Sequence, residues 1–404
     1  MTDYTLRSQR QNLTSIKNNN QVSWNFAALQ FFSFAALSLF GTYGMVYFQR
    51  RGLSKIQIGI LNSVVSAVSI FSPMIWGITS DWLRKRKPLV VVMHLVSALL
   101  FPLFWFLDSR SFILLCSIRA IFSFFFRTSV PLIDAWTLDH LSREGGDYGK
   151  IRSWGSIGYM IPLVASIFIF SSSSEGQAEV LLPMFVGVSL FRIISAIQAI
   201  FLPDYSIEKR EEINWKALNI YLHPFALVFF FSVFIRTFIF APYFAFFNIY
   251  LDQLGVADNM KGLPWIFAVG AEVVMIAFSG SLLRRFGAVS GIILAFIAMS
   301  IRLFVLSATP SWEMILFIQL LHGFTFGAYH PASIQIINKI TPDFFRATGQ
   351  TLVSVVGASG GILGSLAGAI WAETNGYTIL FRNLGLCALI ATILMSISFS
   401  MWKE

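Results

Sequence analysis

Apolar runs of about 20–30 residues, parted by short polar breaks, fill the chain from residue 25 onwards. The runs cover 25–48, 55–79, 88–107, 112–138, 152–171, 180–202, 222–251, 262–283, 288–308, 312–338, 347–372 and 376–402. About 20 apolar residues suffice to cross a bilayer as a helix, so the pattern predicts an all-α membrane protein with twelve transmembrane helices. Residues 1–24 are polar and rich in Asn and Gln, a predicted cytoplasmic tail. The longest later interruption, 203–221, holds Glu208, Lys209, Arg210, Glu211 and Glu212 near the middle of the chain. It is a predicted cytoplasmic linker between two six-helix bundles, 25–202 and 222–404. Landmarks repeat across it: Gly59 with Gly262, Gly77 with Gly280, Pro131 with Pro331, Gly155 with Gly357. Each offset is about 200 residues, as parallel duplicated halves would give.

Composition agrees: 56% of residues are hydrophobic and 12% charged, with a mean hydropathy of +0.70. The net charge of +9 would suggest nucleic acid in a water-soluble chain. Here the cations alternate by loop. About seventeen Lys and Arg fall on the side of the tail and about five on the other, which places both termini in the cytoplasm. The charge is therefore a topology signal; the expected surroundings are the lipid bilayer of a cell's inner membrane, crossed many times, with no nucleic-acid partner. Cys116 and Cys387 lie in apolar runs and form neither a disulfide framework nor a metal-spaced cluster. The tail lacks a cleavage site, and its Asn12-Leu13-Thr14 sequon sits on the cytoplasmic side. H-E-x-x-H and a P-loop are missing, which argues against a metalloprotease-type enzyme or an ATP-driven pump.

Ionisable residues inside the apolar runs carry the candidate chemistry, because charge in lipid is costly. The stretch QLLHGFTFGAYHP, Gln319 to Pro331, puts His322, Phe326 and His330 on one helical face, with Gly323 and Gly327 as a parallel small stripe. A histidine merely packed between helices is the plainer alternative. Arg119, Arg127 and Asp134 share one run, and the seven-residue spacing of Arg127 and Asp134 predicts one face. Asp134 and Arg152 flank the 139–150 loop equally, so a helical hairpin would pair them, as a structural ion pair or as part of a pathway. By the same reasoning Glu272 and Arg302 lie at similar depth, and His322 can join them in a protonation centre. Arg192 and Arg236 are further buried-charge candidates. Pro162, Pro242 and Pro331 predict kinks, and Gly357, Gly360, Gly361, Gly364 and Gly368 a smooth packing face. The loop GITSDWLRKRK at 77–87 has a degenerate counterpart, GSLLRRFG at 280–287.

These two loops resemble the loop 2–3 signature of the major facilitator superfamily, which assigns Gly77, Asp81, Lys85, Gly280 and Arg284 to gating. PLIDAW at 131–136 and YGKIRSWGSIGY at 148–159 resemble the branch that contains lactose permease and the phenylpropionate-type permeases. Leu321-His322-Gly323, Phe326-Gly327, His330 and RATGQ at 346–350 resemble the latter more closely. The resemblance spans about 25–402 and implies the major facilitator fold and alternating access. It implies substrate binding by Asp134, Arg152, Tyr159, Arg127, Glu272 and His322. Proton coupling would fall to Glu272, Arg302, His322 and Asp134. Thr325 stands where lactose permease has its proton-carrying glutamate, and Gln319 where it has a lysine. Glu272 or Asp134 is then the expected carrier, with His322 as modulator. Arg127, Arg152, Arg236 and Arg302 would suit a carboxylate. The expected activity is proton-coupled symport of a small organic solute: an aromatic or other organic acid, a nucleoside or a sugar. Efflux antiport, uncoupled facilitation and intramembrane catalysis are the alternatives. The proton is the only coupling ion expected, with no cofactor, and the working unit is expected to be a monomer.

Overall fold

The computed structural model describes residues 2–170, 177–206, 220–342 and 346–400, with side chains for 22–170, 177–206, 220–342 and 348–398. The acidic and basic core of the expected linker, 207–219, lies outside the described residues. All regular structure among them is helical: α1 (Thr2–Arg50), α2 (Lys55–Leu83), α3 (Lys87–Leu100), α4 (Phe112–Phe126), α5 (Ser129–Glu144), α6 (Tyr148–Ile169) and α7 (Leu182–Phe201). The second half holds α8 (Pro224–Gln253), α9 (Leu263–Phe286), α10 (Ala288–Ser307), α11 (Trp312–Gln319), α12 (Tyr329–Ile340) and α13 (Arg346–Ser400).

Local chemistry sets several boundaries. Ser54 and Gln57 form a reciprocal capping box at the start of α2. Asp147 accepts the first free N–H groups of α6, and Ser311 caps α11. The expected span 112–138 breaks at Arg127–Thr128, between α4 and α5. Pro131 has no N–H to give the carbonyl four residues back, which is Arg127. At this break the Phe126 carbonyl accepts from Ser129 Oγ (2.8 Å) and Arg192 Nη2 (3.1 Å). The break removes the shared face expected for Arg127 and Asp134: they belong to separate helices, and Asp134 turns to Gln30 and Arg152 instead.

Among the described residues, nine helical stretches are long and apolar enough to cross a membrane. One of them, Thr348–Ser398, has 51 residues. As one straight helix it would be about 75 Å long, more than twice a bilayer's apolar thickness. Gly376, at φ 77°, breaks it at the start of the second expected run. The run 312–338 is also interrupted, by a π-helical segment at Gly323–Ala328. Pro331 lies one turn beyond and denies the Gly327 carbonyl its α-helical partner.

α1 is the hub of the first half, packing on α6, α7, α5 and α2, while α13 packs along α8 and α10. The halves meet where α2 packs on α13, α6 on α9 and α1 on α8. Gly59 abuts Ala369 and the Ser365 carbonyl, and Gly262 abuts Leu163 and Ser166. The paired glycines thus mark corresponding contacts between halves. The glycine face of α13 lies on α8: a Cβ on Gly364 would collide with the Phe238 backbone, and one on Gly360 with that of Phe234. Gly77 is unlike these glycines, since no described atom lies within 4 Å of where its Cβ would sit. We expect Gly364→Val to lower stability by about 1–3 kcal/mol through forced helix separation, and Gly77→Ala, in open space on a helix, not to lower it. Thermal unfolding of the purified proteins in detergent checks the contrast; equal midpoints would refute the packing role.

Candidate functional site

A cavity of about 790 Å³ lies between the halves. Its walls come from α1, α2, α4, α5 and α6 on one side and from α8, α9, α12, α13 and the π segment on the other. The lining runs from Met45 and Trp265, near the end where α1 finishes, to Ser333 and Val353, towards the end where it starts.

One wall carries a chain of polar groups. Glu272 Oε2 is 3.6 Å from His322 Nε2. His322 Nδ1 lies 3.1 Å from Arg302 Nη1 and 3.2 Å from Thr325 Oγ1. A guanidinium only donates, so Nδ1 accepts and the ring N–H sits on Nε2, facing the Glu272 carboxylate. Behind the wall, Arg302 is 2% exposed and donates to the Tyr243 hydroxyl and to Gln319 Oε1. Gln319, in the lysine position of the resembled permease, thus supports the guanidinium rather than competing with it. The face expected for His322, Phe326 and His330 forms as a stack, with ring centroids 5.9 and 5.5 Å apart. Gly323 and Gly327 let this wall approach the α9 backbone at Ala271 and Glu272.

Cations dominate the lining. Arg119, Arg127 and Arg236 face the cavity, and Glu272 is the one carboxylate among its lining residues. Arg119 is 6% exposed and lies over Phe40 at 4.4 Å. Arg236 lies over Tyr329 at 4.4 Å and Phe240 at 4.7 Å. Cation–π contact stabilises a guanidinium but leaves its charge uncompensated. Among the described residues none of the three has a carboxylate within ion-pair distance.

The expected site residues therefore divide. Arg127, Tyr159, Glu272 and His322 line the cavity, and Arg302 supports it from behind. Asp134 and Arg152 do pair, at 3.8 Å, but are not lining residues: Arg152 lies over the Phe34 ring at 4.3 Å, and Gln30 bonds Asp134 at 2.7 Å. Of the four arginines expected to suit a carboxylate, Arg127 and Arg236 line the cavity and Arg152 and Arg302 do not, while Arg119 does. Arg192 is fully buried and bonds His94, Ser129 and the Phe126 carbonyl, a bracing role at the α4–α5 break. Of the expected 77–87 loop, residues up to Leu83 belong to α2, and Asp81 in its last turn has no side-chain partner among the described residues. Lys85 pairs with Asp204 at 3.5 Å, Arg86 with Asp139, and Lys87 bonds the Leu202 carbonyl. These ties stay within the first half and the start of the linker. Arg284 bonds Ser281 on its own helix, next to Gly280. No group of three or more potential metal ligands occurs among the described residues.

A second polar cluster ties the halves together at the end where α1 finishes. Arg50 binds Asp252 at 2.5 Å and Asp258 at 2.8 Å. Lys261 binds the same carboxylates at 2.7 and 2.5 Å. Asp258 and Lys261 are fully buried. Around them, Tyr43 donates to Ser166 and the Asp258 carbonyl, Asn248 donates to the Thr42 carbonyl, and Lys55 to that of Ala372. Sequence reasoning missed this cluster, because its members sit at run ends where charge is ordinary. Acid and base concentrated on the side poor in cations was the available signal.

The model of the MFS_1 like family matches residues 23–383. The chain is 26% identical over 377 residues to the maltose permease of Geobacillus stearothermophilus, covering 92% of each. It is 27% identical over 322 residues to a probable 3-phenylpropionic acid transporter of Escherichia coli (strain K12), covering 78% of this chain and 82% of that one. Among solved structures, a mutant of the nucleoside transporter NupG superposes with a TM-score of 0.82 at 16% identity, covering 94% of this chain and all of the other. At that identity the superposition speaks for the fold.

Proposed function

The chain belongs to the MFS_1 like family and is a multi-pass membrane transporter rather than an enzyme, and from that premise we propose proton-coupled symport of a small organic anion by alternating access. The single observation that carries this reading is the cavity's charge, three guanidinium groups against the one carboxylate, Glu272. A neutral sugar or nucleoside would leave those cations without counter-charge in a half-closed site, which is costly. Carboxylates match guanidinium geometry, and the Phe and Trp walls suit an aromatic body. An anion that travels with a proton leaves the cavity's net charge unchanged between the loaded and empty carrier. Glu272 is the group to take that proton, since it faces both the cavity and the His322 N–H, while Arg302 holds the imidazole's orientation. Binding falls to Arg127, Tyr159 and His322; Asp134 and Arg152 act at the margin by fixing α5 against α6.

In this reading the chain makes twelve passes as two six-helix bundles, with the 51-residue stretch counted as two spans. Both termini are cytoplasmic, the membrane is a bacterial-type inner membrane, and the monomer is the working unit. The Arg50–Asp252–Asp258–Lys261 cluster then lies on the outer side and the cavity faces inward.

Uptake into proteoliposomes tests the reading. Labelled phenylpropionate-like acids, nucleosides and disaccharides are offered with and without an inward proton gradient. Gradient-dependent accumulation of an aromatic acid is expected. Accumulation of nucleosides or sugars alone would refute the anion reading, equilibration indifferent to the gradient would indicate a facilitator, and proton-driven expulsion would indicate antiport.

A further inference from the structure

We infer that the natural substrate carries two anionic groups, one at each end of a flat body, held between Arg119 and Arg127 on one wall and Arg236 on the other. The inference rests on the cavity being the substrate site proposed above. Arg119 and Arg127 belong to the first half, and Arg236 stands across the cavity on α8. Arg119 is nine-tenths buried, its Nε has no hydrogen-bond partner, and Arg236 Nε is in the same condition. Glu272 is engaged with His322. A buried charge left without a partner destabilises the site. A monoanion offsets one bank of arginines and leaves the other exposed to that cost, whereas a dicarboxylate offsets both. A volume of about 790 Å³ accommodates a ring with a carboxylate arm at either end. Since the two banks sit on different halves, such a molecule also bridges the bodies that must move together.

Isothermal titration of the detergent-purified full chain, without any gradient, provides the test. The probes are 3-phenylpropionate and 4-(2-carboxyethyl)benzoate, which share a ring and differ by one carboxylate. The dianion is expected to bind about 30-fold more tightly, the scale of one added charge-assisted pair. Arg236→Gln should bring the dianion close to the monoanion, while the monoanion changes less than about 3-fold, because it can use the Arg119–Arg127 bank. Arg236→Lys, which keeps the charge, should restore most of the difference and exclude misfolding as the cause. Equal affinity for the two probes, or equal weakening of both by Arg236→Gln, would overturn the inference. Failure here alongside proton-driven monoanion uptake would leave the symport reading standing. Preferential dianion binding without gradient-driven transport would do the reverse.

Discussion

Glu272→Gln is expected to abolish uphill transport while sparing exchange. One pH unit is worth about 1.4 kcal/mol per proton, so a symporter moving one proton sustains about a tenfold accumulation ratio across that gradient. In the variant the ratio should fall to unity, because the amide cannot take up and release a proton. Counterflow, in which labelled substrate exchanges against unlabelled, should persist, since the arginines that hold the anion are intact. Geometry singles out Glu272: it is the lining carboxylate, and its partner is a histidine whose other nitrogen is occupied by Arg302 and Thr325. Asp134→Asn is the informative control, because Asp134 is not a lining residue and its partners are Gln30 and Arg152. Accumulation retained in Glu272→Gln and lost in Asp134→Asn would move the proton to the other half of the molecule.

Asp258→Asn should open the sealed end. The substitution leaves Arg50 and Lys261, both buried, with the single carboxylate of Asp252. Breaking a buried ion pair costs about 3–5 kcal/mol, and the loss falls on the closed arrangement alone, since opening hydrates every member. The population should then shift towards the open state by more than about 100-fold. Thr42→Cys, on a background with Cys116 and Cys387 replaced by serine, reports the change. The Thr42 hydroxyl has no hydrogen-bond partner, so the probe disturbs little, and the side chain is buried beside the cluster. An impermeant maleimide applied from outside should label the Asp258→Asn protein quickly and the parent slowly. Identical labelling rates would mean that apolar packing, not the ion cluster, holds this end shut.

Much of this arrangement was legible in the chain because lipid enforces simple rules. Charges in apolar runs had to turn inward, and equal distance from a short loop put Glu272, Arg302 and His322 at one depth. The Asp134–Arg152 pair followed from the same hairpin argument. Depth along a helix, however, does not give the direction of a side chain around it. That is why Arg152 and Arg302 were expected in the cavity yet lie beside and behind it, while Arg119 points in. Periodicity also assumes an unbroken helix, and Pro131 invalidated it between Arg127 and Asp134. The second cluster escaped notice for another reason: Arg50 lies about 200 residues before Asp252, Asp258 and Lys261, and only the approach of α1 to α8 unites them.

The π-helical run Gly323–Ala328 holds one residue more than an α-helix of equal rise. Releasing that residue would turn everything beyond it by about 100° and shift it by about 1.5 Å along the axis. His322 lies just before the run and His330 just after it. The span thus has the geometry of a screw with one thread to spare. The two imidazoles are its fixed and turning ends, and Phe326 is the washer between them.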